Sequence, residues 1–301
     1  MTQDKHEPSI TASFDTNCLS DILKDIHKTQ LFISSLSKLS KIIVLLPGDV
    51  LTELHAGTRS DLIAQRIRNL LHLWDGIGDD RIQFTPEIQI MIRKELGKRI
   101  YFTPVIKPAQ KGRLKVLLQE AGNGNQPTLN ELITACGEIN QDKKDILDLD
   151  KIAAQHLQDK APVDSKALSD FEGYFEAYPY PAHCLQWLLD STLKNIEWEG
   201  FRPGLEEVGI KSRYKIFRFF LAMNELTILA AGLQGRCKHQ VVDCFKPKKG
   251  NWHDNKIAAS AARSSFLVTQ DQDLAKKVTY LRDKKVTCLQ VLTFDQFISL
   301  Q

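Results

Sequence analysis

An α/β fold with a parallel sheet, interrupted by a mostly helical insert, is what three observations in the sequence predict. Short apolar runs alternate with helix-like patterns at both ends of the chain. The run KIIVLL (41–46) is apolar without alternation, as a strand covered on both faces requires. Between residues 76 and 210 the pattern is helical and loop-like, with no strand alternation. The sheet is therefore expected from 1–75 and 211–301, with 76–210 inserted between them.

Taken in order, ITASF (10–14) reads as a strand, and helix-like residues follow to about 39. After KIIVLL, Pro47 stands where a first helical turn tolerates the loss of its N–H. PGDVLTELHAG (47–57) is then a helix that Gly57 can close, and residues 60–74 form an amphipathic one. In the insert, Thr128 and Glu131 make a T-x-x-E capping box ahead of LNELITACGEI. DSKALSDFEGYFEAY and AHCLQWLLDSTLKNI follow, split by PYPA. The α/β pattern resumes with a helix over about 211–233, another opened by Asp254, a strand SFLVT (265–269) and a helix from Asp271. A last strand VTCLQVL (286–292) precedes a short helix capped by Thr293. Strands separated by helices imply a parallel sheet with helices on both faces.

The composition is that of an ordinary globular protein. The 301 residues carry a net charge of +3, too small to announce a polyanionic partner by itself. No run of about 18 apolar residues exists and the start MTQDKHEPSI is polar, so neither a membrane span nor export is expected. Six cysteines lie scattered without a C-x-x-C pair, which suits a reducing cytoplasm. CKHQVVDC (237–244) lacks the second ligand pair that a zinc site needs.

Positive charge is concentrated in two places. Lys211, Lys215 and Arg218 recur at helical spacing, with Ile216, Phe219, Phe220 and Met223 on the other side. Lys246, Lys248 and Lys249 crowd KPKKGNWHDNK. A solvated face explains such a stripe as well as a nucleic-acid track does, and the second reading needs a catalytic site beside it.

Four acids stand where that site would be. In open parallel sheets the ligand crevice lies beyond the carboxyl ends of the strands. Asp15 follows the first strand, and Thr269 and Asp271 follow SFLVT, expected to be its neighbour. Glu53 lies on the helix after the second strand, among the apolar residues of VLTEL, where a lone charge is costly. Asp254 opens the helix before SFLVT. Asp15 and Asp271 would also serve as plain helix caps, and that alternative stays open. Crowded carboxylates raise one another's pKa unless a cation balances them. Oxygen ligands without His or Cys favour Mg²⁺ or Mn²⁺, and the matching chemistry is metal-assisted phosphodiester hydrolysis. His55 and His253 flank the acids without a clear role, and Trp252 and Tyr214 read as core packing rather than base stacking.

The segments SFDTNCL, LLPGDVLTELHAG, DNKIAASAARSSFLVTQDQDL and VTCLQVLTFDQFISL, in this order, resemble the PIN-domain nucleases. The resemblance covers residues 1–75 and 211–301 and nothing in between. It implies a three-layer α/β/α domain and an endoribonuclease using Mg²⁺ or Mn²⁺. Asp15, Glu53, Asp254 and Asp271 match the family's catalytic, metal-binding acids. Asn17 and Thr269 match its supporting polar residues, and Asp273 is an extra carboxylate placed to reach a metal through water. NWHD is less familiar in the third acid's place and leaves Asp243 as the alternative to Asp254, which the sequel DNKIAASAA favours. The resemblance further implies an RNA substrate, single-stranded or structured, and such settings as a toxin with its antitoxin or another protein partner, or an anti-phage effector, with self-association into a homo-oligomer. Two alternatives remain beside it: a nuclease acting on DNA flaps or single strands, and a catalytically silent module that binds RNA or protein.

Overall fold

A computed structural model describes residues 10–54, 59–96, 105–131, 134, 148, 215–232, 244–246, 248 and 250–300. Its centre is a sheet of five parallel strands: β1 (Ile10–Phe14), β2 (Ile42–Pro47), β3 (Ile82–Thr85), β4 (Phe266–Val268) and β5 (Gln290–Leu292). Their spatial order is β3-β2-β1-β4-β5. The continuous apolar run of β2 is buried along nearly its whole length, as a central parallel strand should be.

The described helices are α1 (Thr16–Leu23), α2 (Ile26–Lys38), α3 (Gly48–Leu54), α4 (Ser60–Ile77), α5 (Ile88–Leu96), α6 (Pro108–Gly122), α7 (Lys215–Gly232), α8 (Asn251–Ser260), α9 (Gln272–Asp283) and α10 (Phe294–Ile298). From β1 the chain steps outward to β2 and β3, then returns to the other side of β1 to lay down β4 and β5. Right-handed crossovers put the helices of these two directions on opposite faces. Consistent with this, α1, α2, α4 and α6 pack among themselves, while α5, α7, α8 and α9 form a second group. Phe14, fully buried on β1, meets Phe32 of α2 and Phe297 of α10 edge-to-face, with ring centroids 5.3 and 5.2 Å apart.

β3 corrects the expected boundary at residue 75. Ile82–Thr85 pairs in register with Val44 to Pro47 of β2, so the sheet runs into the stretch read as a mostly helical insert. Four residues are too few to declare a period of two. α5 and α6 then pack against helices of the sheet. The expected helices over 164–196 lie outside the described residues, as do His55, Gly57, Tyr214, Lys211, Asp243 and Lys249. The capping box at Thr128 is also corrected: helix begins at 126, and the Asn125 side chain accepts from Thr128 N at 3.3 Å. Thr293 does cap α10, in a reciprocal box with Gln296. Trp252 is buried against Phe220. Among the described residues no helix is long and apolar enough to cross a membrane.

The start of α3 is fixed by a close approach. A Cβ on Gly48 would lie 2.9 Å from Glu87 N and 3.1 Å from Thr85 O, both backbone atoms. Beside it the buried Asp49 accepts from Ile88 N at 2.8 Å and Ser260 Oγ at 3.1 Å, joining α3 to α5 and α8. Gly48→Ala is therefore expected to lower stability by roughly 1–3 kcal/mol, the usual cost of overpacking. Urea unfolding of the two proteins measures it.

Candidate acidic site at the switch point of the sheet

The strand order reverses between β1 and β4, and the crevice at such a switch point is where open α/β sheets hold ligands. Asp15 closes β1 there. Its backbone N–H donates to Val268 O at 3.0 Å, continuing the pairing of β1 with β4 by one residue. Its carboxylate caps α1, with Oδ1 accepting from Cys18 N at 2.6 Å. Oδ2 accepts from the Thr269 hydroxyl. The same hydroxyl accepts from Asp271 N at 3.0 Å, so one threonine at the end of β4 ties the two aspartates into one frame. Asp271 in turn caps α9, accepting from Asp273 N at 2.8 Å and Leu274 N at 3.0 Å through Oδ1. Both aspartates are thus helix caps; each oxygen of Asp15 retains a second lone pair, and at Asp271 both capping bonds fall on Oδ1, which leaves Oδ2 to another partner.

Glu53 reaches this frame from α3, where its Oε2 accepts from Thr16 Oγ1 at 2.5 Å. Asp254 stands on α8, near enough to feel the charges of Glu53, Asp271 and Asp15. That helix begins at Asn251, three residues before the expected start, so Asp254 lies inside the first turn, with its N–H donating to Gly250 O at 3.0 Å. Asp15 and Asp254 feel the neighbouring acids electrostatically. Burial, opposed by the Thr269 and Cys18 hydrogen bonds and reinforced by Asp271 and Glu53, raises the Asp15 pKa to about 6. Burial, opposed by Lys277 and reinforced by Glu53, Asp271 and Asp15, raises that of Asp254 to about 7.

The flanking residues sort differently. Asn17 is exposed on the first turn of α1, while Thr16 holds Glu53. Asp273 is half-buried and ion-paired with the exposed Lys248, which also feels Asp271. Lys248 therefore stands beside Asp273 at the edge of the acids. Lys246 is half-buried and its carbonyl accepts from Asn251 Nδ2 at 2.6 Å, bracing the start of α8. Lys215 and Arg218 stand at the start of α7, whose first N–H groups bind Glu95, the partner of Arg263. Arg263 follows the far end of α8 from Asp254, so this pair is anchored away from the acids. Sequence reasoning missed Thr16, which reads as an ordinary helix-start residue, and Lys277, which reads as one more surface lysine of α9.

Among the described residues no three His, Cys, Asp or Glu side chains are grouped tightly enough to grip a metal as they stand. The donor set nevertheless fits a hard, hydrated cation: Mg²⁺ is commonly held by only one or two carboxylates, the rest of its shell being water. The buried Asp15 and the half-buried Asp254, whose pKa values the neighbouring acids help to raise, also supply the negative potential that draws such an ion. No family model, curated protein or solved structure matches this chain.

The Thr269 bridge carries an expected outcome. Thr269→Val keeps the β-branched shape in the strand but removes the hydroxyl that orients both aspartates. Partners of this kind typically contribute 10–100-fold in metal affinity. A Mn²⁺ titration followed by calorimetry is expected to give a loss of that order, roughly 10–100-fold.

Proposed function

We propose that the chain is a metal-dependent endonuclease of PIN-like architecture that hydrolyses RNA phosphodiester bonds at the crevice between β1 and β4. One observation carries the reading: acids from four separate segments, Asp15, Glu53, Asp254 and Asp271, stand around the switch point of a parallel sheet, where Glu53 and Asp271 help to raise the pKa of both Asp15 and Asp254. Mere capping accounts for Asp15 and Asp271. It does not account for the half-buried Glu53 and Asp254 on the same side of the sheet, since crowding like charges is unfavourable unless a cation balances them.

Within this reading the residues divide the work. Asp15 and Asp271, each fixed by a helix start and by Thr269, hold a divalent cation, Mg²⁺ or Mn²⁺. When bound, the cation polarises the phosphoryl group and acidifies water. Glu53, oriented by Thr16, faces the same frame and orients the attacking water. Asp254, with a pKa near 7, accepts the proton that the water loses at neutral pH. Lys248 draws in the phosphate backbone. Its pairing with Asp273 is largely exposed, hence weak and readily exchanged for a phosphate. An unpaired strand suits an open crevice, since its bases can be splayed on either side of the scissile bond.

The test is cleavage of labelled single-stranded RNA and DNA by the purified protein with Mg²⁺, Mn²⁺ or EDTA. Metal-dependent cutting of RNA that fails with EDTA supports the reading. Cutting of DNA alone replaces the substrate, and cutting of neither polymer by folded, metal-supplied protein rejects the nuclease.

A further inference from the structure

Beside the acids a groove of about 450 Å³ lies open between α1, α2 and α10. That volume is in the range of small-ligand clefts and admits one nucleobase with its sugar. Two of its wall residues adjoin the candidate site: Cys18, whose N–H donates to Asp15 Oδ1, and Gln270, which stands between Thr269 and Asp271. Its floor is apolar. The half-buried Phe294 of α10 rests on the buried Phe32 of α2, with ring centroids 5.6 Å apart and planes tilted by 46°. Leu31 at the mouth is 69 % exposed, the most exposed of the large apolar side chains described. An apolar groove that opens on such a residue and is rimmed by polar groups has the form of a binding surface. The rim is basic. Lys28, Leu31, Ser35 and Lys38 recur at i, i+3, i+7 and i+10, one face of α2. A lysine therefore stands at each end of this face, roughly 15 Å apart along the helix. Lys28 pairs with the exposed Asp21 at 2.8 Å, and Lys38 has no ion-pair partner among the described residues. Gln270, exposed at the mouth, offers an amide donor and an acceptor.

We propose that this groove is a nucleobase subsite: it takes one unpaired base of single-stranded RNA, stacked on Phe294 and read at its edge by Gln270, while Lys38 and Lys28 hold phosphates of the strand. Charge and position favour a base over an apolar segment of protein. Two lysines against one carboxylate, Asp21, leave the rim positive. The wall also runs into the residues next to Asp15 and Asp271, where the same strand would be cut. Aromatic faces hold bases of any sequence by stacking, and lysines hold the backbone between them. A base enters such a groove only when it is unpaired, so a duplex is excluded. This rests on the reading of the crevice as a site for RNA and adds to it the grip on the strand, which needs no cation.

Fluorescence anisotropy of the full chain in EDTA, with a labelled RNA of roughly 8 nucleotides, a usual span for a single-strand site, tests it apart from cleavage. The unaltered protein is expected to bind the single strand more tightly than the same RNA in a duplex. Phe294→Leu keeps an apolar side chain against Phe32 but removes the flat face. It is expected to weaken binding by at least about fivefold, the lower end for a base stacked on an aromatic ring, whereas Phe294→Tyr keeps the ring and the binding. Lys38→Gln, at an exposed helix end, is expected to weaken binding and to flatten its salt dependence by about one phosphate contact. Unchanged binding by folded Phe294→Leu and Lys38→Gln, or equal binding of the duplex, overturns the inference and leaves the nuclease reading standing. Binding that these variants lose, in a parent that cuts neither RNA nor DNA with metal supplied, keeps the groove and rejects the nuclease. No binding of the single strand by the unaltered protein also overturns the inference, and a dimer in sedimentation that Leu31→Glu dissociates then assigns the groove to a second copy.

Discussion

Asp15→Asn is expected to lower RNA cleavage by about 10³-fold or more while leaving the chain folded and, above about pH 6, more stable than the parent. The first half follows from the loss of an anionic ligand. Several kcal/mol of transition-state stabilisation ride on a positioned cation, and each ~1.4 kcal/mol is tenfold in rate. The second half follows from burial. The carboxyl of Asp15 is 3 % exposed and its pKa is raised from the ordinary 3.8 to about 6. An acid whose folded pKa lies above its unfolded value lowers stability as pH rises through that interval, and the full cost is present above it. Asn avoids this cost and keeps the Cys18 N–H satisfied through its own carbonyl. It strands the Thr269 hydroxyl proton, which returns about 1 kcal/mol. The net gain is expected to be about 1–2 kcal/mol at pH 8 without metal, and none or a small loss near pH 3.5. Initial cleavage rates and urea unfolding at the two pH values check both halves.

Glu95→Ala is expected to be among the most destabilising single changes in the described chain. Glu95 is fully buried at the end of α5. It accepts from Phe217 N at 2.8 Å and from Ile216 N at 3.3 Å, and pairs with Arg263 at 3.0 Å. One carboxylate thus closes the N-terminus of α7 and neutralises a largely buried guanidinium. Removing one member of a buried pair typically costs 3–5 kcal/mol, because the other charge is left without compensation. The expected loss is about 3–5 kcal/mol, a fall in melting midpoint on the order of 10 °C. Glu95→Gln keeps the shape and one acceptor for the helix start, so it is expected to lose roughly half as much. Because α7 packs on α8 and α9, which carry Asp254 and follow Asp271, the alanine variant is also expected to loosen the acidic site. Thermal denaturation by circular dichroism compares the three proteins.

What the sequence revealed and what it hid follows from the range of the interactions. β1, the apolar run of β2, the caps at Asp15, Asp271 and Thr293 and the adjacency of β1 and β4 are carried by residues within a few positions of one another or by the logic of parallel sheets. These were legible. β3 was not, since its four residues owe their conformation to β2 and show too little alternation to declare themselves. Gly250, at a φ of +109°, starts α8 earlier than Asp254 suggested, as a left-handed residue can turn the chain into NWHD. Glu95 looked like one polar residue in IRKEL. Its partners lie 121, 122 and 168 positions away, beyond the reach of any local pattern. Lys277 was hidden for the same reason: its spacing on α9 is ordinary, and only the packing of other helices over it makes it a buried cation. The four acids were legible as candidates, whereas the Thr269 bridge and the Thr16 contact that hold them needed the folded geometry.

The most direct test of the central claim, that the acids at the switch point form a divalent-cation centre, is the melting midpoint with and without Mn²⁺ at about pH 7.5 and about pH 5.5. Ligand at 100 times its Kd adds about 2.7 kcal/mol, or roughly 5–10 °C for a domain of this size. Cation binding needs ionised carboxylates, and Asp254 and Asp15 take up protons as the pH falls through about 7 and about 6 respectively. A rise of that size is expected at the higher pH, a much smaller one at the lower, and none in Asp15→Asn, Asp271→Asn. No rise at about pH 7.5, or an equal rise in the doubly substituted protein, would contradict it.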